Sequence, residues 1–221
     1  MNLILVTYKD FNSLKTYYLF LIFCICVVAL TAVFNFILMS DTVIYNYYSQ
    51  QLGADRIEEF INLQKKYQYL GYIILPICYS IKFFLISMCL MVGAIFSNFK
   101  ISFSKIFKIV IISETIFLIP LIIKIIWFSF FKTRYTLLDL QLFSPFSLLS
   151  LVDIANVKKW FYYPLSTSNI FEIIYCFSLS YCLSNQLGLP IKKAAVTVIS
   201  SYGAGLLVWT IFIMFLSINL S

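Results

Sequence analysis

The chain has 221 residues, of which 62% are apolar or aromatic and 11% charged, with a net charge of +7. Soluble domains carry about 45–50% apolar and about 25% charged residues, so composition excludes a soluble globular domain, a disordered chain and a disulfide scaffold. Histidine is absent, which removes the imidazole as base, proton shuttle or metal ligand.

A helix that crosses the hydrocarbon layer needs about 20 mostly apolar residues, and five stretches meet that requirement. They run over about 17–39, 71–96, 109–131, 170–186 and 195–219. The expected fold is all-α, a single polytopic bundle of five transmembrane helices. The first stretch is too long for a signal-peptide core and has no A-x-A site after it, so it reads as a retained helix.

Orientation follows the lysine and arginine density of short loops. With the N-terminus inside, the inner segments hold Lys9, Lys15, Lys100, Lys105, Lys108, Lys192 and Lys193, against one acid, Asp10. The outer side holds Arg56, Lys65, Lys66, Lys132, Arg134, Lys158 and Lys159, spread over longer loops. The density favours N-in and C-out. Tyr45, Tyr47, Tyr48, Tyr67 and Trp127 cluster near the outer ends of spans, where amphipathic rings prefer to sit.

Two outer segments look amphipathic, at about 55–68 and 136–160. In the first, Asp55 and Glu58 resemble a capping box, and Ile57, Phe60, Ile61 and Tyr67 fall on one face. It reads as a short helix on the membrane surface or the bundle, either a docking surface or a cover. In the second, a leucine-rich run is broken by Asp139, Pro145 and Asp153, which suits an interfacial or re-entrant segment.

Between the last two spans, Gly188 and Pro190 end one helix, and Lys192 and Lys193 mark the inner edge. The fifth span then carries Thr197, Ser201 and Gly205 four residues apart, a small-residue face for close helix packing. Pro76 and Pro120 are expected to kink the second and third spans. The six cysteines all lie within predicted spans, and their spacing suits small hydrophobes better than a metal site.

Ionisable residues inside spans are costly and raise a functional reading by default. Four qualify: Lys82, Glu114, Lys124 and Glu172. At 1.5 Å of rise per residue, Lys124 and Glu172 lie within roughly 10 Å of the outer edge, with Lys82 and Glu114 at about 16 and 25 Å. Two pairs, Lys124 with Glu172 and Lys82 with Glu114, account for all four. Glu172 also stands three residues after Asn169, as in a helix cap. The Lys82–Glu114 pair reads as structural, with a proton or ion relay as the alternative. No catalytic, nucleotide-binding or metal-binding motif appears, so no cofactor is expected. The basic residues follow membrane edges, which argues against nucleic acid as a partner.

The basic stretch from Phe103 through Lys108 leads to a proline-bearing third span at Pro120. It is followed by Ser147-Leu-Leu-Ser-Leu, Asn169-Ile-Phe-Glu and Leu187-Gly-Leu-Pro-Ile-Lys-Lys-Ala-Ala. This organisation, over about residues 70–215, resembles the Yip1-like family. The resemblance implies a five-helix membrane domain with a cytoplasmic N-terminus. Eukaryotic members carry a longer N-terminal region that engages small GTPases. With about 16 residues before the first span, this chain looks more like the bacterial short forms. The expectation is a non-enzymatic multi-pass protein of a bacterial inner membrane, an accessory or assembly subunit partnered by lipids and other membrane subunits. The alternative is a transporter or permease subunit with an intramembrane Lys/Glu pathway.

Overall fold

The computed structural model describes residues 15–49 and 52–219. Lys9 and Asp10, which entered the charge count, lie outside the described residues. The described chain is all-helical, and its one β-contact is an isolated bridge between Ser147 and Asn169. Four helices are long and apolar enough to cross a membrane: α1 (Thr16–Leu38), α3 (Ala54–Phe96), α4 (Phe103–Phe131) and α8 (Ile191–Asn219). Between them stand α2 (Asp41–Tyr48), α5 (Leu137–Leu142), α6 (Tyr162–Thr167) and α7 (Ile170–Leu187).

The fourth predicted span corresponds to α7, which is 18 residues long and is not among the four helices long and apolar enough to cross a membrane. Its polarity follows from its position. It packs between α4 and α8 and buries Phe171, Tyr175, Leu179, Ser180, Cys182 and Leu183. Where a helix meets other helices rather than lipid it tolerates serine, as at Ser178, Ser180 and Ser184. The Asn169 side chain caps its start by accepting from the Glu172 amide at 2.9 Å. Gly188 ends it in the left-handed conformation with φ +63°, where a residue without Cβ meets no steric penalty.

The second helix departs from expectation. The segment at 55–68 is not a separate surface helix, because α3 runs unbroken for 43 residues from Ala54 to Phe96. That is about 64 Å at 1.5 Å per residue, roughly twice the hydrocarbon thickness. Nothing between Tyr67 and Tyr72 stops a helix, and a lone Gly71 costs only about 1 kcal/mol. The expected capping box at Asp55 is also absent, since Gly53 is the N-cap and Asp55 lies in the first turn. Only part of the amphipathic face is covered: α2 lies on it, joining Ile44 to Ile57 and Ile61, while Phe60 and Tyr67 are exposed. Lys65 pairs with Asp41 at 2.6 Å across this hairpin.

The segment at 136–160 is likewise not one helix. It contains α5 and three short 3₁₀ turns at Leu148–Leu151, Ile154–Asn156 and Lys159–Phe161. Thr136 and Asp139 form a reciprocal capping box at the start of α5, and Pro145 and Ser144 interrupt any continuation. Leu140 packs with Phe128 and Leu38, so this loop closes one end of the bundle. Trp209 of α8 donates to the Tyr163 hydroxyl at 2.8 Å at the same end.

Pro76 sits inside α3 and Pro120 inside α4. Proline lacks an amide hydrogen and its ring crowds the carbonyl four residues back. In α4 the turn just before Pro120, Thr115–Phe117, tightens to a 3₁₀ helix. Two π-helical turns follow, at Trp127–Phe131 in α4 and Ile199–Gly203 in α8.

Candidate functional site

The main core joins α1, α3, α4, α7 and α8, with Phe83, Val110, Tyr175, Leu179, Ala194 and Val198 wholly enclosed. Polar groups sit in the middle of this apolar packing. Lys82 of α3 donates to Oε1 of Glu114 on α4. Glu114 is completely buried, whereas the Lys82 side chain is 47% exposed. The ammonium also lies 4.9 Å from the centre of the Phe117 ring and 5.9 Å from that of Tyr79, within the range for cation–π attraction.

The other carboxylate oxygen of Glu114, Oε2, has no hydrogen-bond partner among the described residues, and neither has the hydroxyl of Tyr175. The Tyr175 side chain lies across the α4–α7 contact within electrostatic reach of the Glu114 carboxylate. Tyr175 packs edge-on against Tyr202 of α8 with ring centres 5.3 Å apart, and the Tyr202 hydroxyl donates to Oε1 of Glu172. A chain of polar groups thus crosses four helices: Lys82, Glu114, Tyr175, Tyr202 and Glu172. Beside it, Ser178 of α7 donates to Ser113 of α4 at 3.0 Å.

The four charges within apolar stretches are therefore placed differently from the expectation of two pairs. Lys82 and Glu114 meet. Lys124 and Glu172 do not: Lys124 lies 5.4 Å over the Phe34 ring of α1, and Glu172 is taken by Tyr202. Depth arithmetic places residues along a helix but says nothing of rotation about its axis. Lys124 is on the face of α4 that meets α1, and Glu172 is on the face of α7 that meets α8.

Thr197, Ser201 and Gly205 all lie against α3. A Cβ built on Gly93 would fall 2.5 Å from the Ser201 Cβ and 3.3 Å from the Thr197 Cγ2, and one on Gly205 would fall 2.9 Å from the Cys89 Sγ. Thr197 and Ser97 join their hydroxyls at 2.9 Å. The complementary half of this seam, Cys89 and Gly93 on α3 with Ser97 at its C-cap, repeats every four residues and is equally visible in the sequence.

Sequence reasoning missed Tyr175 and Tyr202. A signal was present for the first of them. Tyr79 and Lys82, Glu114 and Phe117, and Glu172 and Tyr175 each place an aromatic three residues from a charge, so that both share a helix face. Nothing similar marks Tyr202, which lies in the π-turn of α8 and donates to Glu172.

Among the described residues, no group of three or more cysteine, aspartate or glutamate side chains comes together to hold a metal ion. The cluster contains a cation, two carboxylates and two phenols, so its available chemistry is proton binding and hydrogen bonding. Compared with known proteins, the chain matches no family model, no curated protein and no solved structure.

Proposed function

We propose that this chain is a five-crossing protein of a bacterial inner membrane, N-terminus inside and C-terminus outside, serving as a non-enzymatic accessory or assembly subunit of a larger membrane complex. α7 is the fifth crossing in this reading. Its 18 residues extend about 27 Å, close to the roughly 30 Å hydrocarbon thickness. The Yip1-like relationship belongs to the same proposal and rests on the Leu187–Ala195 turn and on the basic approach to Pro120.

The observation that carries the reading is the projection of α3. Residues 54–70 continue the helix about 25 Å beyond its apolar part, stiffened by α2 through Ile44, Ile57 and Ile61. Phe60, Leu63, Tyr67 and Tyr69 remain exposed there. Beside Leu63 lies a shallow groove lined by Asp55, Glu58, Glu59, Asn62 and Lys66. A rigid arm with uncovered aromatic side chains beyond the lipid suits contact with another protein.

Photo-crosslinking from Leu63 and Phe60 in native membranes tests this. A discrete crosslinked protein partner, recovered again in mild detergent, supports the reading. A chain that crosslinks to no protein and purifies alone removes it.

A transporter or permease subunit is the second reading, favoured by one feature, the completely buried Glu114 with an unpartnered oxygen. Proton flux in proteoliposomes, compared between the native chain and Glu114→Gln, decides it. Unchanged flux eliminates the relay.

A further inference from the structure

The buried cluster has an uneven charge count. Lys82 supplies one positive charge and Glu114 and Glu172 supply two negative ones, and no other basic side chain among the described residues pairs with either carboxylate. The groups facing the cluster from every packed helix are Cys24 of α1, Tyr79 and Lys82 of α3, Glu114 of α4, Tyr175, Cys176 and Glu172 of α7, and Tyr202 of α8. Lys82 alone among them is basic. An uncompensated charge between apolar helices is strongly unfavourable, and such a group takes up a proton instead.

We propose that Glu114, Tyr175, Tyr202 and Glu172, together with Lys82, form a one-proton site, which binds a single exchangeable proton shared between the two carboxylates. The proton comes from hydronium in the surrounding water: one O–H bond of hydronium breaks, water is left, and one O–H bond forms on a carboxylate, which becomes a carboxylic acid. Glu114 Oε2 and the Tyr175 hydroxyl are both completely buried and lack partners. When Glu114 holds the proton, Oε2 donates to the Tyr175 oxygen. With the proton on the other carboxylate, Glu172 keeps its hydrogen bond to Tyr202, and the Tyr175 hydroxyl turns to donate to Oε2. The half-exposed side chain of Lys82 is the cluster's opening to its surroundings. This site does not depend on the docking role of the α3 arm.

Infrared difference spectroscopy of the full chain in liposomes, stepped through the neutral pH range, reads the carbonyl stretch of a protonated carboxyl group. The native chain should show one such band. Glu172→Gln and Glu114→Gln each balance the charges against Lys82, so each should lose the band. Lys82→Met removes the only cation, and its band should grow about twofold as both carboxylates bind protons. Tyr202→Phe leaves the charge count unchanged, so its band should persist at a shifted frequency. A native chain without the band overturns the proposal, as does a band that survives in both glutamine variants. Should the glutamine variants fail to fold, an unshifted band in Tyr202→Phe overturns it instead. A failed crosslink from the α3 arm leaves all these outcomes unaffected, so the two proposals fail separately.

Discussion

Gly93 of α3 and Ser201 of α8 approach so closely that a β-carbon on the glycine would lie 2.5 Å from the serine Cβ. The two helices therefore depend on hydrogen at that position. Overpacking a close contact typically costs about 1–3 kcal/mol. Gly93→Ala should lower the thermal midpoint in detergent, and Gly93→Leu should lower it further. Gly205→Ala should cost less, because its 2.9 Å neighbour is the terminal Sγ of Cys89, which can rotate away. A Gly93→Ala protein as stable as the native one would show that the seam is looser than this geometry.

The Lys82–Glu114 pair makes a second prediction. Breaking a buried pair by removing one partner costs about 3–5 kcal/mol, whereas replacing both by apolar groups is often neutral. Lys82→Met should destabilise the bundle substantially, toward the lower end of that range because the Lys82 side chain is 47% exposed. The double change Lys82→Met with Glu114→Leu should recover most of the loss. Denaturation of the two variants beside Glu114→Leu alone completes the cycle, and strictly additive losses would contradict a direct interaction.

The loop end of the bundle should respond to acid. Burial pushes the Asp139 carboxyl upward, but hydrogen bonds from Lys132 and Thr136 and the Lys132 charge outweigh it and hold the group below its ordinary value. A depressed carboxyl contributes stability above its unfolded pKa, about 3.9, and loses that contribution as pH falls through its lower folded value. Limited proteolysis between Lys132 and Asn169 should therefore be slow at neutral pH and accelerate in strong acid. Asp139→Ala should mimic the acid state at neutral pH, costing about 1 kcal/mol locally for the lost hydrogen bonds from Thr136 and Lys132.

Topology is open to direct labelling. In the five-crossing arrangement, α7 separates the loop holding Leu151 from the turn before Ile191. Leu151→Cys should react with a membrane-impermeant maleimide from outside intact cells, and Ile191→Cys only after permeabilisation. These experiments use a cysteine-free background made by replacing the six native cysteines. Labelling of both sites from one side would remove α7 as a crossing.

Helix content and approximate span limits were legible because lipid demands long apolar runs with internally satisfied backbones. Thr16–Leu38 and Ile191–Asn219 lie close to the predicted ranges for that reason. The end of α7 was legible too, since Gly188 is the residue that accepts the left-handed turn. The continuity of α3 was not. Charge and amphipathicity change near Leu70, which suggested two elements, but backbone hydrogen bonding does not stop where polarity changes.

The candidate site divides along the same line. Composition and spacing singled out Lys82, Glu114, Lys124 and Glu172 as ionisable groups within long apolar stretches, and the small-residue face of α8. Those are one-dimensional facts about helix length and period. Only the packed structure decided which groups meet, because partner choice depends on each helix's rotation about its axis and on the π-turn at Ile199–Gly203. Rotation sends Lys124 to Phe34 and Glu172 to Tyr202, and it encloses Glu114 completely.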